Sequence, residues 1–207
     1  MMDAPRMLLI GSTAKRAGRT TLACAVIARF CDTHRLVAVK VTPPGAHSNG
    51  GQASVLQDGQ RRRGGCTRYC IRRETCTAGA RDTQRMLAAG AFESYWLHAG
   101  DAALADGIRE ILDALPEDAF AVCESTRLRR VVTPGCFAMV QASGSGTEVS
   151  SQRAGSVGAI PGPKPLSTQV QHLADQVFRF DGELFSPDPE VLVIADGRWA
   201  AASEIAR

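Results

Sequence analysis

Four consecutive residues, Gly18-Arg19-Thr20-Thr21, stand where a short apolar run gives way to a helix-forming one. Met7-Leu8-Leu9-Ile10 precedes the intervening stretch, and Leu22-Ala23-Cys24-Ala25-Val26-Ile27-Ala28 follows the threonines. Strand, glycine-containing loop and helix start form the order in which backbone N–H groups can cradle a phosphate. The usual pattern of such a loop is G-x-x-x-x-G-K-[ST], with the last hydroxyl on Mg²⁺. Gly18 fills the second glycine position and Thr20 the hydroxyl position. Thr13 stands at the first glycine position and Arg19 at the lysine position, so the match is partial. The chemistry predicted is binding of a nucleotide's phosphates. An ordinary strand-to-helix turn is the competing reading.

Two charged residues at strand ends add to this. Leu36-Val37-Ala38-Val39-Lys40-Val41-Thr42 reads as a second buried strand with Lys40 near its C-terminal end. Ligands of open α/β sheets bind at that end. Lys40 either reaches an anion there or snorkels out at a sheet edge. Ala119-Phe120-Ala121-Val122-Cys123-Glu124-Ser125 is a further strand, apolar until Glu124. A carboxylate at the tip of a buried strand is costly without a partner. The partner is either Mg²⁺ or one of the arginines just downstream, Arg127, Arg129 or Arg130.

A third group of reactive residues lies between residues 43 and 80, where regular patterning stops. Cys66, Cys70 and Cys76 place three thiols within a short span, with His47 upstream as an available fourth ligand. Thiolates so placed suit zinc or an iron–sulfur cluster, although the spacing matches no zinc-ribbon or ferredoxin pattern. The alternative is free thiols on a loop. Arg61, Arg62, Arg63, Arg68, Arg72 and Arg73 make the stretch basic, which suits an anionic ligand or is a solvated charge run.

The elements that must position these groups follow from composition and pattern. The chain has 207 residues, 44% hydrophobic and 22% charged, the balance of one globular domain over residues 1–207. Its net charge of +3 is too mild to argue for nucleic acid. No apolar run approaches the roughly 20 residues of a membrane span, and the N-terminus does not read as a signal peptide. The expectation is a cytoplasmic protein whose seven cysteines do not build a disulfide framework. Helices are expected at Asp82–Gly90, with Asp82 or Thr83 as N-cap, at Asp101–Leu115 and at Leu166–Asp175. Further strands are expected at Ser94–His98, Phe137–Gln141, Val177–Phe180 and Val191–Ala195. Residues 142–165, rich in Ser, Gly and Pro, read as a flexible loop. Strands alternating with helices predict an α/β fold: three layers, a mainly parallel sheet flanked by helices, with 43–80 as a cysteine-bearing insertion.

The loop at Gly18, Lys40 after the second strand, Ala80-Arg81-Asp82-Thr83-Gln84-Arg85 with Ala88-Ala89-Gly90-Ala91, and Val122-Cys123-Glu124 occur in one order. Over residues 7 to 125 this resembles the MobB family, the molybdopterin-guanine dinucleotide biosynthesis protein B group of P-loop GTP-binding proteins. The segment around Asp82 is similar to that family's G-K-D-[ST]-x-R followed by A-G-A, with Asp82, Thr83, Arg85 and Ala89-Gly90-Ala91 in common and Ala80 and Arg81 in place of its Gly and Lys. A more distant similarity is to dethiobiotin synthetase. The resemblance implies a P-loop NTPase fold binding ATP or GTP with Mg²⁺. It implies that Thr13, Lys15, Ala17, Gly18, Arg19, Thr20 and Thr21 contact the nucleotide, and that Thr20 and Glu124 hold Mg²⁺. Lys40, Asp82 and Glu124 would face the triphosphate or a second substrate, a phosphorylated or pterin-type small molecule. The chain departs from the family at Arg19, at Ser125, where a glycine is usual, and in the cysteine loop. Lys15 is then the candidate for the missing P-loop charge.

The function expected is an accessory nucleotide-binding protein of molybdenum cofactor metabolism. The alternatives are a small-molecule kinase or ATP-dependent ligase of the dethiobiotin synthetase type, and a metal or iron–sulfur module with a degenerate P-loop. A homodimer would supply a second set of cysteines. No guanine-reading N-K-x-D motif is evident, so the sequence does not choose between ATP and GTP.

Overall fold

Short β-branched and apolar runs become strands when both of their faces can be covered. The computed structural model describes residues 1–43, 69–142 and 166–205. The chain opens with β1 (Met2–Ser12), α1 (Arg19–Phe30) and β2 (Leu36–Thr42). Next come β3 (Tyr69–Glu74), α2 (Asp82–Ala88) and β4 (Glu93–Ala99). A 3-10 turn at Asp101–Ala103 leads into α3 (Leu104–Asp113), followed by β5 (Phe120–Glu124) and β6 (Val132–Ala142). The last segment holds α4 (Leu166–Val170), β7 (Gln176–Phe180), β8 (Phe185–Ser186), β9 (Leu192–Ala195), β10 (Arg198–Ala201) and α5 (Ala202–Ile205).

Eight strands form one sheet in the order β3-β4-β2-β5-β1-β6-β7-β8. The pairs from β4 to β7 are all parallel. The two edge strands, β3 and β8, run antiparallel to their neighbours. The chain leaves β1 for β2 on one side and later fills the gap with β5, then turns to β6 and β7 on the other side. The strand order therefore reverses beside β1, and a crevice opens at the C-terminal ends there.

Alternate strand residues divide between two layers. Leu9, Val39, Leu97 and Cys123 pack with Leu104, Ile108 and Ile111 of α3. Leu8, Ile10, Ala38 and Val122 pack on the opposite face with Leu22, Val26 and Ile27 of α1 and Met86 of α2. The small β9–β10 hairpin adds Trp199, fully buried, to this second layer. Asp196 and Gly197 turn that hairpin at φ 50° and 70°, the left-handed pair that a two-residue β-turn requires.

The architecture is the expected α/β one, a mostly parallel sheet with helices on both faces. Four local readings need correction. The stretch taken as irregular through Ala80 contains β3, which lacks apolar alternation because it is an edge strand with only Ile71 buried. Charged residues on such an edge also guard it against further pairing. The helix expected at Asp101–Leu115 starts with a 3-10 turn, and that expected at Leu166–Asp175 stays α-helical only to Val170 before a 3-10 turn at Gln171–Leu173. The N-cap of α2 is Arg81, not Asp82 or Thr83. Asp82 is drawn instead into an ion pair described below. Gly90 ends the helix as expected, at φ 105°. His47, Arg61, Arg62, Arg63, Cys66 and Arg68, and nearly all of the loop expected at 142–165, lie outside the described residues.

Candidate functional site

Strand periodicity places the central charges. On β2 and β5 the residues beneath α1 are the even-numbered ones, Ala38 and Val122. Lys40 and Glu124 continue that face, and the two are paired in register across the β2–β5 ladder. Ile10 of β1 is in register with Glu124 from the other side. Both charged residues thus emerge at the strand tips beneath the start of α1.

Their side chains meet. Lys40 Nζ donates to Glu124 Oε1 at 2.6 Å and lies 2.8 Å from Asp82 Oδ2. Thr20 Oγ1, in the first turn of α1, donates to Glu124 Oε2 at 2.9 Å. Arg19 Nε lies 3.4 Å from Glu124 Oε1. Two segments far from Glu124 in sequence, Arg19–Thr20 and Lys40, therefore converge on its carboxylate, which has 1% side-chain exposure, and Asp82 joins them through Lys40. Lys40, with 13% side-chain exposure, bridges two acids in the middle of the sheet and is not an edge lysine. Arg127 and Arg130 pair with Asp101, and Arg129 donates to the Val132 carbonyl, so Glu124 takes its partners from upstream.

These neighbours set the ionisation of the site. Partial burial pushes the Asp82 carboxyl up, but the hydrogen bond and charge of Lys40, with the nearby Thr20 hydroxyl and the Arg85 charge, overcome it. The net effect holds Asp82 below its ordinary value. Burial pushes the Cys24 thiol up; Arg85 opposes this, while Glu124 and Asp82 add to it. Cys24 is one turn after Thr20 on α1 and remains a thiol at neutral pH. Cys123, fully buried, is pushed up by burial and by Glu124.

The loop from Thr13 to Gly18 is pinned at both ends. Ser12 N donates to Thr126 Oγ1 at 3.0 Å and Thr13 N to the Val140 carbonyl at 3.1 Å. Ala17 is buried in the α1 layer. Between them Lys15 and Arg16 are exposed, with Arg16 left-handed at φ 58°. Gly18 is left-handed at φ 93°, and a Cβ there would lie 2.5 Å from Phe180 Cδ1. Both features demand glycine. α1 then begins without a side-chain cap, leaving the first-turn N–H groups of Arg19, Thr20 and Thr21 unused by the helix. Arg19 turns back toward Glu124, while Lys15 is carried on the loop's exposed crown.

Cys70 and Cys76 are set apart by β3. Cys70 sits on the strand and Cys76 is exposed beyond its far end. At about 3.3 Å per residue, Cys70 and Glu74 stand about 13 Å apart. Among the described residues no group of three or more His, Cys, Asp or Glu is placed to hold a metal ion. The third thiol of that set, Cys66, is not among them.

Composition and motif gave no sign of a neighbouring polar row. Trp96 Nε1 donates to Thr42 Oγ1 at 2.9 Å, Thr42 Oγ1 lies 3.2 Å from His98 Nδ1, and the two rings are 4.2 Å apart. Counting even-numbered residues forward from Lys40, and across to β4, would have found it.

Thr20 Oγ1 and Glu124 Oε2 are hard oxygen donors of the kind Mg²⁺ takes, and their contact brings them within reach of one ion. Two protein oxygens are few, which fits an ion that arrives with phosphate oxygens of its own. Comparison with family models, with curated proteins and with solved structures finds no match to this chain. The arrangement itself is what the chain offers: an uncapped helix start, a strained glycine loop, and a Thr–Glu–Lys–Asp cluster directly beneath it.

Proposed function

We propose that the chain binds a nucleoside triphosphate with Mg²⁺ at the β1–α1 loop, in a site of the P-loop NTPase type. The observation that supports this most is the convergence of Thr20, Lys40, Asp82 and Glu124 below the first turn of α1. An isolated strand-to-helix turn has no need of a buried acid and a partly buried lysine at its foot. In this reading the loop and the first-turn N–H groups bind phosphate oxygens. Thr20 and Glu124 hold the ion, which neutralises phosphate charge when bound. Lys40, oriented by Asp82, moves from Glu124 to a phosphate oxygen. Arg19 and Lys15 supply the charge that the P-loop lysine carries elsewhere.

The place of this activity is proposed from the resemblance to MobB proteins: an accessory NTPase of molybdenum cofactor metabolism. Its carriers are the Ala80–Arg85 segment and the A-G-A that follows. Lys40, Arg19 and Thr20 all contact Glu124. Any hydrolysis it assists must wait for these donors to be drawn off by the nucleotide, so turnover is expected to be slow.

Thr20→Ala removes one ion donor and leaves the loop backbone in place. Its nucleotide affinity should fall at least tenfold in the presence of Mg²⁺ and change little in chelator. Equal affinity for wild type and variant under both conditions would refute the assignment.

A further inference from the structure

Strand order fixes the direction in which a bound triphosphate runs. Lys40 on β2, Glu124 on β5 and Asp82 at the start of α2 meet on one side of β1, where a terminal phosphate would lie. A nucleotide whose phosphates follow the loop toward them carries its nucleoside to the other side, over the tips of β6, β7 and β8. That side is aromatic. Phe180 ends β7 and is in register with Phe185 of β8. Their rings stack with centroids 4.5 Å apart and planes 26° apart, and Phe185 also meets the buried Phe178 edge to face at 6.2 Å.

The ring pair adjoins the phosphate loop, because Phe180 is the residue that a Cβ at Gly18 would strike. Phe180 and Phe185 are half-buried, and Leu184, in the turn between their strands, is 69% exposed. Apolar surface is therefore open, among the described residues, beside a loop whose own crown is polar. The polar groups of the turn are spent within it. Asp181 Oδ1 accepts the backbone N–H groups of Glu183 and Leu184 at 2.9 and 2.8 Å, and Asp181 N donates to the Leu184 carbonyl at 3.3 Å. These N–H groups are thus not available to read the edge of a base. A ring face without such donors selects a flat ring by its area of overlap and is indifferent to its edge.

We propose that Phe185, stacked on Phe180 and flanked by Leu184, is the base platform of the nucleotide site, and that it takes a purine without distinguishing adenine from guanine. The inference rests on the nucleotide reading above and names its substrate class, purine nucleoside triphosphates. Two fused rings cover more of a phenyl face than the single ring of a pyrimidine does, which sets the preference. Phe180 holds Gly18 with one part of its ring and Phe185 with another, so the platform and the phosphate loop are fixed relative to each other.

The test is calorimetric titration of the full chain, in Mg²⁺, with the β,γ-imido analogues of ATP, GTP and UTP and with inorganic tripolyphosphate, which has no base. The ATP and GTP analogues should bind within about threefold of each other, and the UTP analogue and tripolyphosphate at least about fivefold more weakly. Phe185→Leu keeps an apolar side chain against Phe178 and removes the ring face. It should weaken both purine analogues at least about fivefold and leave tripolyphosphate unchanged, while Phe185→Tyr should bind all four ligands like wild type. Purine affinity undiminished in Phe185→Leu, or a preference of more than about tenfold between the ATP and GTP analogues, would overturn the platform. Equal weakening of tripolyphosphate would also overturn it, by showing that Phe185 only supports the loop. Wild type that binds tripolyphosphate as tightly as the nucleotides would overturn the platform and leave the phosphate site standing. Wild type that binds none of the four would overturn the nucleotide reading and the platform together.

Discussion

Lys40 holds two carboxylates at once, 2.6 Å from Glu124 and 2.8 Å from Asp82, and the pairs differ in kind. Glu124 is buried, so removing its main cation leaves a desolvated charge, a loss of about 3–5 kcal/mol. Lys40→Ala should therefore lower the unfolding free energy by about 3 kcal/mol, less whatever Arg19 recovers. A denaturation midpoint unchanged from wild type would show that Glu124 does not depend on Lys40. Glu124→Gln keeps the shape and can still accept from Thr20. It should retain the nucleotide binding seen in chelator, lose much of the Mg²⁺ enhancement and lose any hydrolysis; a variant that is destabilised yet turns over normally would contradict the proposed role. Lys40 and Glu124 were legible in the sequence because each breaks an apolar strand near its C-terminal end. Their mutual contact was not, since it depends on β5 being inserted beside β2. Sequence adjacency had offered Arg127, Arg129 and Arg130 to Glu124, and the sheet order removes them.

At the scale of elements, the junction of β1 and α1 depends on one backbone conformation. Gly18 is left-handed and faces the ring of Phe180, so an alanine there meets both backbone strain and a 2.5 Å contact. Gly18→Ala should destabilise the fold by about 1–3 kcal/mol and distort the loop. Nucleotide binding should suffer more than global stability does. An unchanged melting curve with unchanged binding would show that the loop relaxes freely. The glycine was legible as a loop residue, but Phe180 as its neighbour was not, because β7 comes some 160 residues later. The strand β3 was hidden for another reason. Tyr-Cys-Ile-Arg-Arg-Glu carries only one buried residue, and its pairing is supplied by the backbone of β4. Its presence is also why closeness of Cys70 and Cys76 in sequence is not closeness in space.

The whole molecule is a sheet whose strand order reverses beside β1, with its charged cluster at that reversal and its hydrophobic layers on either side. This general form was legible in the alternation of strands and helices. The two antiparallel edges were not, because nothing in composition marks an edge strand's direction. The charges give the fold a predictable response to acid. Asp82 is held below its ordinary value of 3.8, so the unfolded chain binds the proton more readily. The stabilisation is complete above that ordinary value and is lost as pH falls through the lower folded value. Asp101, clamped by Arg127 and Arg130, shifts in the same direction. Asp82→Asn should cost no more than about 1 kcal/mol at pH 7. It should also shallow the fall in melting temperature below the ordinary carboxylate range, with the Asp101 contribution remaining. Parallel acid profiles for wild type and variant would show that the Lys40–Asp82 pair contributes nothing to stability. The reversal point is proposed as a Mg²⁺–nucleotide site. Calorimetric titration of the wild-type chain with non-hydrolysable ATP and GTP analogues, in Mg²⁺ and in chelator, tests it most directly. Saturable one-to-one binding of at least one analogue is expected, at least tenfold tighter with Mg²⁺. No binding of either analogue, or an affinity indifferent to Mg²⁺, would contradict it.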